Sequence, residues 1–144
     1  MSKKPAKEAE VKVIRGTAIV LEDSSPTRKV VIFLLEKNGY KVLGFPNGKV
    51  AFDEISKAEI PDLKIIFSDI MMPEMHGLQF IKKLRESNKC VNVPIVITSA
   101  LSEKEAVSEA KQLGVSGYLL KPISAKKVIE VLKKIIPAEK FKEI

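Results

Sequence analysis

Five short runs rich in Ile, Val, Leu and Phe recur along this chain, each followed by a longer stretch with helical periodicity. The runs span 17–21, 41–44, 63–68, 95–98 and 118–120. Most are nearly continuous in apolar residues rather than alternating, as in parallel strands covered on both faces. The stretches at about 27–38, 49–56, 78–87, 103–113 and 125–136 read as helices. Their punctuation agrees: Ser102-x-x-Glu105 forms a capping box, and Gly39 and Gly114 stand where helices stop. Val128, Val131, Leu132 and Ile135 make one apolar stripe opposite Lys126, Lys127, Lys133 and Lys134. Five βα units predict an α/β fold, a (βα)5 doubly wound parallel sheet in the flavodoxin-like strand order 2-1-3-4-5.

The 144 residues suit one domain, expected over 16–137, with a basic N-terminal extension at 1–15 and a C-terminal tail at 138–144. Cys90 is the single cysteine, which excludes an internal disulfide and fits a reducing, cytoplasmic setting. No apolar stretch approaches the ~20 residues needed to span a bilayer, and the start lacks the apolar core of a signal peptide. The net charge of +7 is uneven: five basic and two acidic residues fall in 1–16, four Lys and one Glu in 124–136. These lysines have no aromatic interleaving and no DNA-reading motif accompanies them. They read as solvated faces, and nucleic-acid binding is not expected.

The strands end on reactive groups: the pair Glu22-Asp23, then Asp69, Thr98 and Lys121-Pro122. In open parallel sheets such groups converge just beyond the carboxyl ends of the strands. Two carboxylates about 4 Å apart repel by roughly 4 kcal/mol at an effective dielectric near 20, so three in one pocket call for a cation. Oxygen donors without His or Cys favour a hard ion, and a shallow cluster with room for waters and a phosphoryl group favours Mg2+ over Ca2+. His76, the one histidine, is not required. A carboxylate attacking phosphorus also needs charge neutralised on the transferring oxygens, which the Lys121 amine and the Thr98 hydroxyl can supply with the metal.

These residues together resemble the response-regulator receiver family over about 17–136. The resemblance rests on Glu22-Asp23, on Asp69-x-x-x-Pro73-x-x-x-Gly77, on Ile97-Thr98-Ser99-Ala100 and on Tyr118-Leu-Leu-Lys121-Pro122. The separations of 46, 29 and 23 positions from Asp23 to Asp69, Thr98 and Lys121 in turn suit strands 1, 3, 4 and 5. The resemblance implies that Asp69 is a phosphoacceptor served by a sensor histidine kinase or histidine phosphotransfer protein. It further implies Mg2+ held by Asp23, Asp69 and the Met71 backbone carbonyl, with Glu22 acting through water. Thr98 would bind the phosphoryl group, Lys121 would pair with it, and Thr98 and Tyr118 would form the switch. Glu22 in place of the commoner Asp, and Ile123 in place of a frequent Phe, remove no required group. Met71 and Ala100, at positions that tune dephosphorylation in this family, cannot hold a water through their side chains, so a long-lived phosphoprotein is expected.

The expected protein is thus a stand-alone, single-domain response regulator rather than an enzyme acting on a separate substrate. Its output would be a protein contact at the face of helix 4, strand 5 and helix 5, or phosphoryl relay to another histidine, without membrane insertion. An interaction module that keeps the fold but works without phosphorylation is the alternative. A flavin-binding protein of the same fold would need a phosphate-cradling loop after strand 1, where Glu22-Asp23-Ser24-Ser25 instead places anions.

Overall fold

The structure is a computed structural model that describes residues 15–57, 60, 62–70, 77–87, 92–100 and 104–136, the side chains of 104–106 excepted. The expectations for Met71, His76, Cys90, the Ser102-Glu105 capping box and the two tails lie outside what is described. Along the chain run β1 (Gly16–Leu21), α1 (Ser25–Lys37), β2 (Tyr40–Phe45), α2 (Gly48–Lys57) and β3 (Leu63–Asp69). There follow α3 (Gly77–Glu86), β4 (Ile95–Ser99), α4 (Lys104–Gln112), β5 (Gly117–Leu120) and α5 (Ala125–Ile135). The five strands are parallel and lie in the order β2-β1-β3-β4-β5, as the sequence predicts.

Local chemistry explains where the elements differ from the expected bounds. Helix α1 starts two residues earlier than the periodicity suggests because Ser24 Oγ accepts from the Thr27 N–H, and Pro26 supplies a preset φ in the first turn. Asn47 performs the same service for α2, its Oδ1 accepting from the Val50 N–H at 2.9 Å. Strand β2 gains a residue at each end, since Tyr40 pairs with Gly16 and Phe45 with Leu21. Gly39 and Gly114 follow α1 and α4 with φ of 97° and 81°, a left-handed conformation that costs glycine little.

Continuous apolar strands become two cores because adjacent residues point to opposite faces of the sheet. Ile19, Leu21, Ile66, Ile95 and Ile97 pack with Ala51 and Ile55 of α2, Phe80, Ile81 and Leu84 of α3 and Ala110 of α4. Ala18, Val20, Ile65, Phe67 and Val96 meet Val31, Leu34 and Leu35 of α1 and Val128, Val131 and Leu132 of α5 on the other face. The sheet is therefore gripped from both sides, and its strand ends are held in fixed relation.

The end of β3 is tied to the start of α3 by a hydrogen bond from the Gly77 N–H to the Ile70 carbonyl at 2.8 Å. Gly77 packs so closely that a Cβ there would overlap the carbonyl oxygen of Asp69 and come 2.9 Å from the Ile70 Cα. Backbone cannot give way as a flexible side chain can. Gly77→Ala should therefore lower stability by about 2 kcal/mol, measured as a fall in the urea midpoint at unchanged slope.

Candidate functional site

The strand order places β3 at the centre of the sheet, with β1 on one side and β4 on the other. Asp69 closes β3 and is directly opposite Thr98 of β4 in the parallel register. Both are buried, at 4% and 3% exposure. Glu22 and Asp23 follow β1, and Lys121 follows β5, where its N–H donates to the Ser99 carbonyl at 2.8 Å. The Lys121-Pro122 peptide bond is cis.

Lys121 joins the acids. Its Nζ donates to Asp69 Oδ2 at 2.9 Å and forms an ion pair with Glu22 Oε1 at 2.8 Å. The ammonium carries three N–H donors and serves the buried Glu22 Oε1 and Asp69 Oδ2 together. The other Glu22 oxygen, Oε2, accepts from the Ser24 N–H at 3.1 Å. Asp23 is exposed at the mouth of the site. One carboxylate oxygen from each of Glu22, Asp23 and Asp69 lies within 4.8 Å of the others.

Burial raises the Glu22 carboxyl above its ordinary value, helped by the Asp69 charge; Lys121 and the Ser24 N–H oppose this without cancelling it. Burial alone would depress the Lys121 ammonium, but Glu22 and Asp69 outweigh it and hold the amine above its usual range. The cluster holds three carboxyl groups against one ammonium. Such an all-oxygen cluster, its acids outnumbering the one ammonium and with an exposed acid at its rim, fits a hard divalent cation.

Residues 18–133 match the family model described as "Response regulator receiver domain". The chain belongs to this family. A chemotaxis protein CheY homolog of Campylobacter jejuni is 33% identical over 119 residues, covering 82% of this chain and 90% of that protein. The two-component response regulator ORR11 of Oryza sativa is 29% identical over 119 residues, covering 83% and 80%. The structure of the Vibrio cholerae chemotaxis protein CheY4 superposes with a TM-score of 0.75 at 28% identity, covering 83% of this chain and 98% of that one. The protein is thus a two-component response regulator with a receiver domain.

In this receiver, five of the residues singled out in the sequence, Glu22, Asp23, Asp69, Thr98 and Lys121, meet at one sheet edge. Tyr118 is three residues before Lys121 in β5, partly buried against the core under α2, α3 and α4. Three contributors carry no sequence signal for the site. Ser24 caps α1, and its N–H also orients Glu22. Arg28 reads as a helix-surface charge, yet its Nη1 donates to the Glu22 backbone carbonyl at 2.6 Å. Lys127, expected on the solvated face of α5, turns back to donate to the carbonyls of Leu120 and Pro122 at 3.0 and 3.1 Å. A backbone acceptor leaves no mark in the sequence of its donor.

The Glu22 shift gives stability a defined pH dependence. With its folded pKa above the unfolded value near 4.5, Glu22 binds more protons folded than unfolded, so its contribution falls as pH rises from the unfolded to the folded pKa. Glu22→Gln removes this dependence. In urea melts without divalent cations, the stability of wild type relative to Glu22→Gln should decrease from pH 4 to pH 7.

Proposed function

We propose that Asp69 accepts a phosphoryl group from a phosphohistidine on a sensor histidine kinase or phosphotransfer protein. The observation that carries this reading is the Lys121 ammonium, held 2.9 Å from Asp69 Oδ2 beside two further carboxylates. A structural ion pair needs one acid. Three clustered acids, two of them paired with one amine, with a buried hydroxyl in register with the acceptor, suit a group that arrives bearing its own negative charge.

In the transfer, an Asp69 carboxylate oxygen forms a bond to phosphorus while the phosphorus–nitrogen bond of the donor breaks. The imidazole leaves with the electron pair and is reprotonated from solvent. Lys121 exchanges part of its contact with the Asp69 carboxylate for the phosphoryl oxygens, and Thr98 donates its hydroxyl to one of them. Asp23, Asp69 and the Met71 carbonyl would hold Mg2+, with Glu22 reaching it through water. The ion would supply charge neutralisation on the phosphoryl oxygens.

The readout follows from the same geometry. Movement of Thr98 toward the phosphoryl group vacates space beside β5 that Tyr118 can enter, which alters the face formed by α4, β5 and α5. This face includes Lys126, Lys133 and Lys134 and suits an acidic protein partner. Ala100, exposed just after β4, cannot hydrogen-bond a hydrolytic water through its side chain, so shut-off falls to a phosphatase or to back-transfer. No helix among the described residues is long and apolar enough to cross a membrane.

Acetyl phosphate with Mg2+ tests this function. It should add one acid-stable, base-labile phosphoryl group to the wild type and none to Asp69→Asn. A label that peptide mapping places on serine or threonine would overturn the reading.

A further inference from the structure

Asp23 is the one acid of the cluster that makes no hydrogen bond or ion pair with a described residue, so its place depends on the backbone that carries it. That backbone is fixed on both sides. The Glu22 N–H donates to the Phe45 carbonyl at 3.0 Å, tying the end of β1 to the end of β2. Ser24 is anchored through its N–H to Glu22 Oε2 and through its hydroxyl to the first turn of α1. The remaining freedom is rotation of the peptide plane between Glu22 and Asp23. Its carbonyl oxygen accepts the 2.6 Å hydrogen bond from Arg28 Nη1.

We infer that Arg28 is the positioning residue of the acid pair, setting the Glu22-Asp23 peptide plane and with it the direction in which Asp23 presents its carboxylate to a metal. The inference rests on the metal-assisted phosphoacceptor reading of the site. A guanidinium bonded to the backbone of an acid pair has carboxylates as the stronger alternative partners. Arg28 forms no ion pair with a described residue, and its short bond goes to a neutral carbonyl. It orients the loop without neutralising the acids.

The route of the side chain supports this role. Arg28 lies in the first turn of α1 and reaches back over the loop, its stem passing beside Gly44 of β2. A Cβ on Gly44 would stand 3.4 Å from Arg28 Cδ and 3.6 Å from Cγ. The stem thus runs in ordinary van der Waals range of β2, whose bare Gly44 makes room instead for Ile32 Cδ1, 2.7 Å from the same point.

Electrostatics and positioning predict opposite signs, which makes the role testable. Removing a positive charge near a cation site strengthens cation binding if charge is all that matters. Removing the residue that aims a ligand weakens it, typically by 10- to 100-fold for a group acting through the ligand. The full chain, wild type and with Arg28→Met or Arg28→Lys, is titrated with Mg2+ by calorimetry, and the metal-free amide spectrum is recorded for each. Arg28→Met keeps the stem and removes the donor, and should weaken Mg2+ about tenfold or more and shift the Asp23 and Ser24 amides before any metal is added. Arg28→Lys, which restores a donor, should recover part of the affinity. Unchanged or tighter Mg2+ binding in a folded Arg28→Met protein overturns the inference while leaving the phosphoacceptor reading intact. A wild type that takes up no Mg2+ overturns the metal reading and the positioning role with it. If Arg28→Met fails to fold, Arg28→Gln, which also removes the charge, decides: weaker Mg2+ binding with moved Asp23 and Ser24 amides supports the role, and equal or tighter binding overturns it.

Discussion

The Lys121 ammonium, bonded to Asp69 and paired with Glu22, is the interaction on which the site depends. Buried carboxylates repel one another and cost desolvation energy, so a cluster of three is unstable without compensation. One amine from β5 offsets part of that cost and leaves the remaining charge available to a cation or an incoming electrophile. The compensation works only if three strand ends, those of β1, β3 and β5, are held at a fixed separation. The two apolar cores, one on each face of the sheet, provide that rigidity, which explains why so much of the chain is committed to strands buried on both sides.

This dependence explains what the sequence made legible. Parallel strands covered on both faces must be nearly continuous in apolar residues, so Ile65, Ile66 and Phe67 announce β3, and Asp69 stands out as the polar residue that ends the run. The same logic isolates Glu22-Asp23, Thr98 and Lys121, and the strand order follows from alternation with helices. The bounds of α1 and α2 were less legible, because they depend on whether Ser24 and Asn47 turn a side chain back onto the backbone. Pattern does not encode that choice.

The site was legible in its members but not in their arrangement. The sequence cannot say that Glu22 is buried at 2% exposure beside the amine while its neighbour Asp23 faces the opening. That division follows from the chain leaving β1, where Phe45 holds the peptide before Glu22 and Glu22 Oε2 holds the peptide before Ser24. Arg28 and Lys127 were hidden for another reason: both spend their charge on backbone carbonyls, one after β1 and one flanking the Lys121-Pro122 turn. These two side chains bond the loops that carry an acid and the amine, so the supporting shell is built from residues that look like ordinary surface charge.

The central claim is that Lys121 serves the phosphoryl group, not merely the neutrality of the acid cluster. Replacing it separates the two roles, because the ammonium competes with a metal for Asp69 yet would assist transfer to that same residue. In Lys121→Met, Mg2+ binding measured by calorimetry should tighten several-fold, as expected when a competing charge is removed. Phosphorylation by acetyl phosphate at saturating Mg2+ should slow by about a hundredfold, the usual cost of losing one preorganised donor to the transferring group. Tighter metal binding with slower transfer is the result the account predicts. Phosphorylation at the wild-type rate in a Lys121→Met protein that binds Mg2+ more tightly would contradict it.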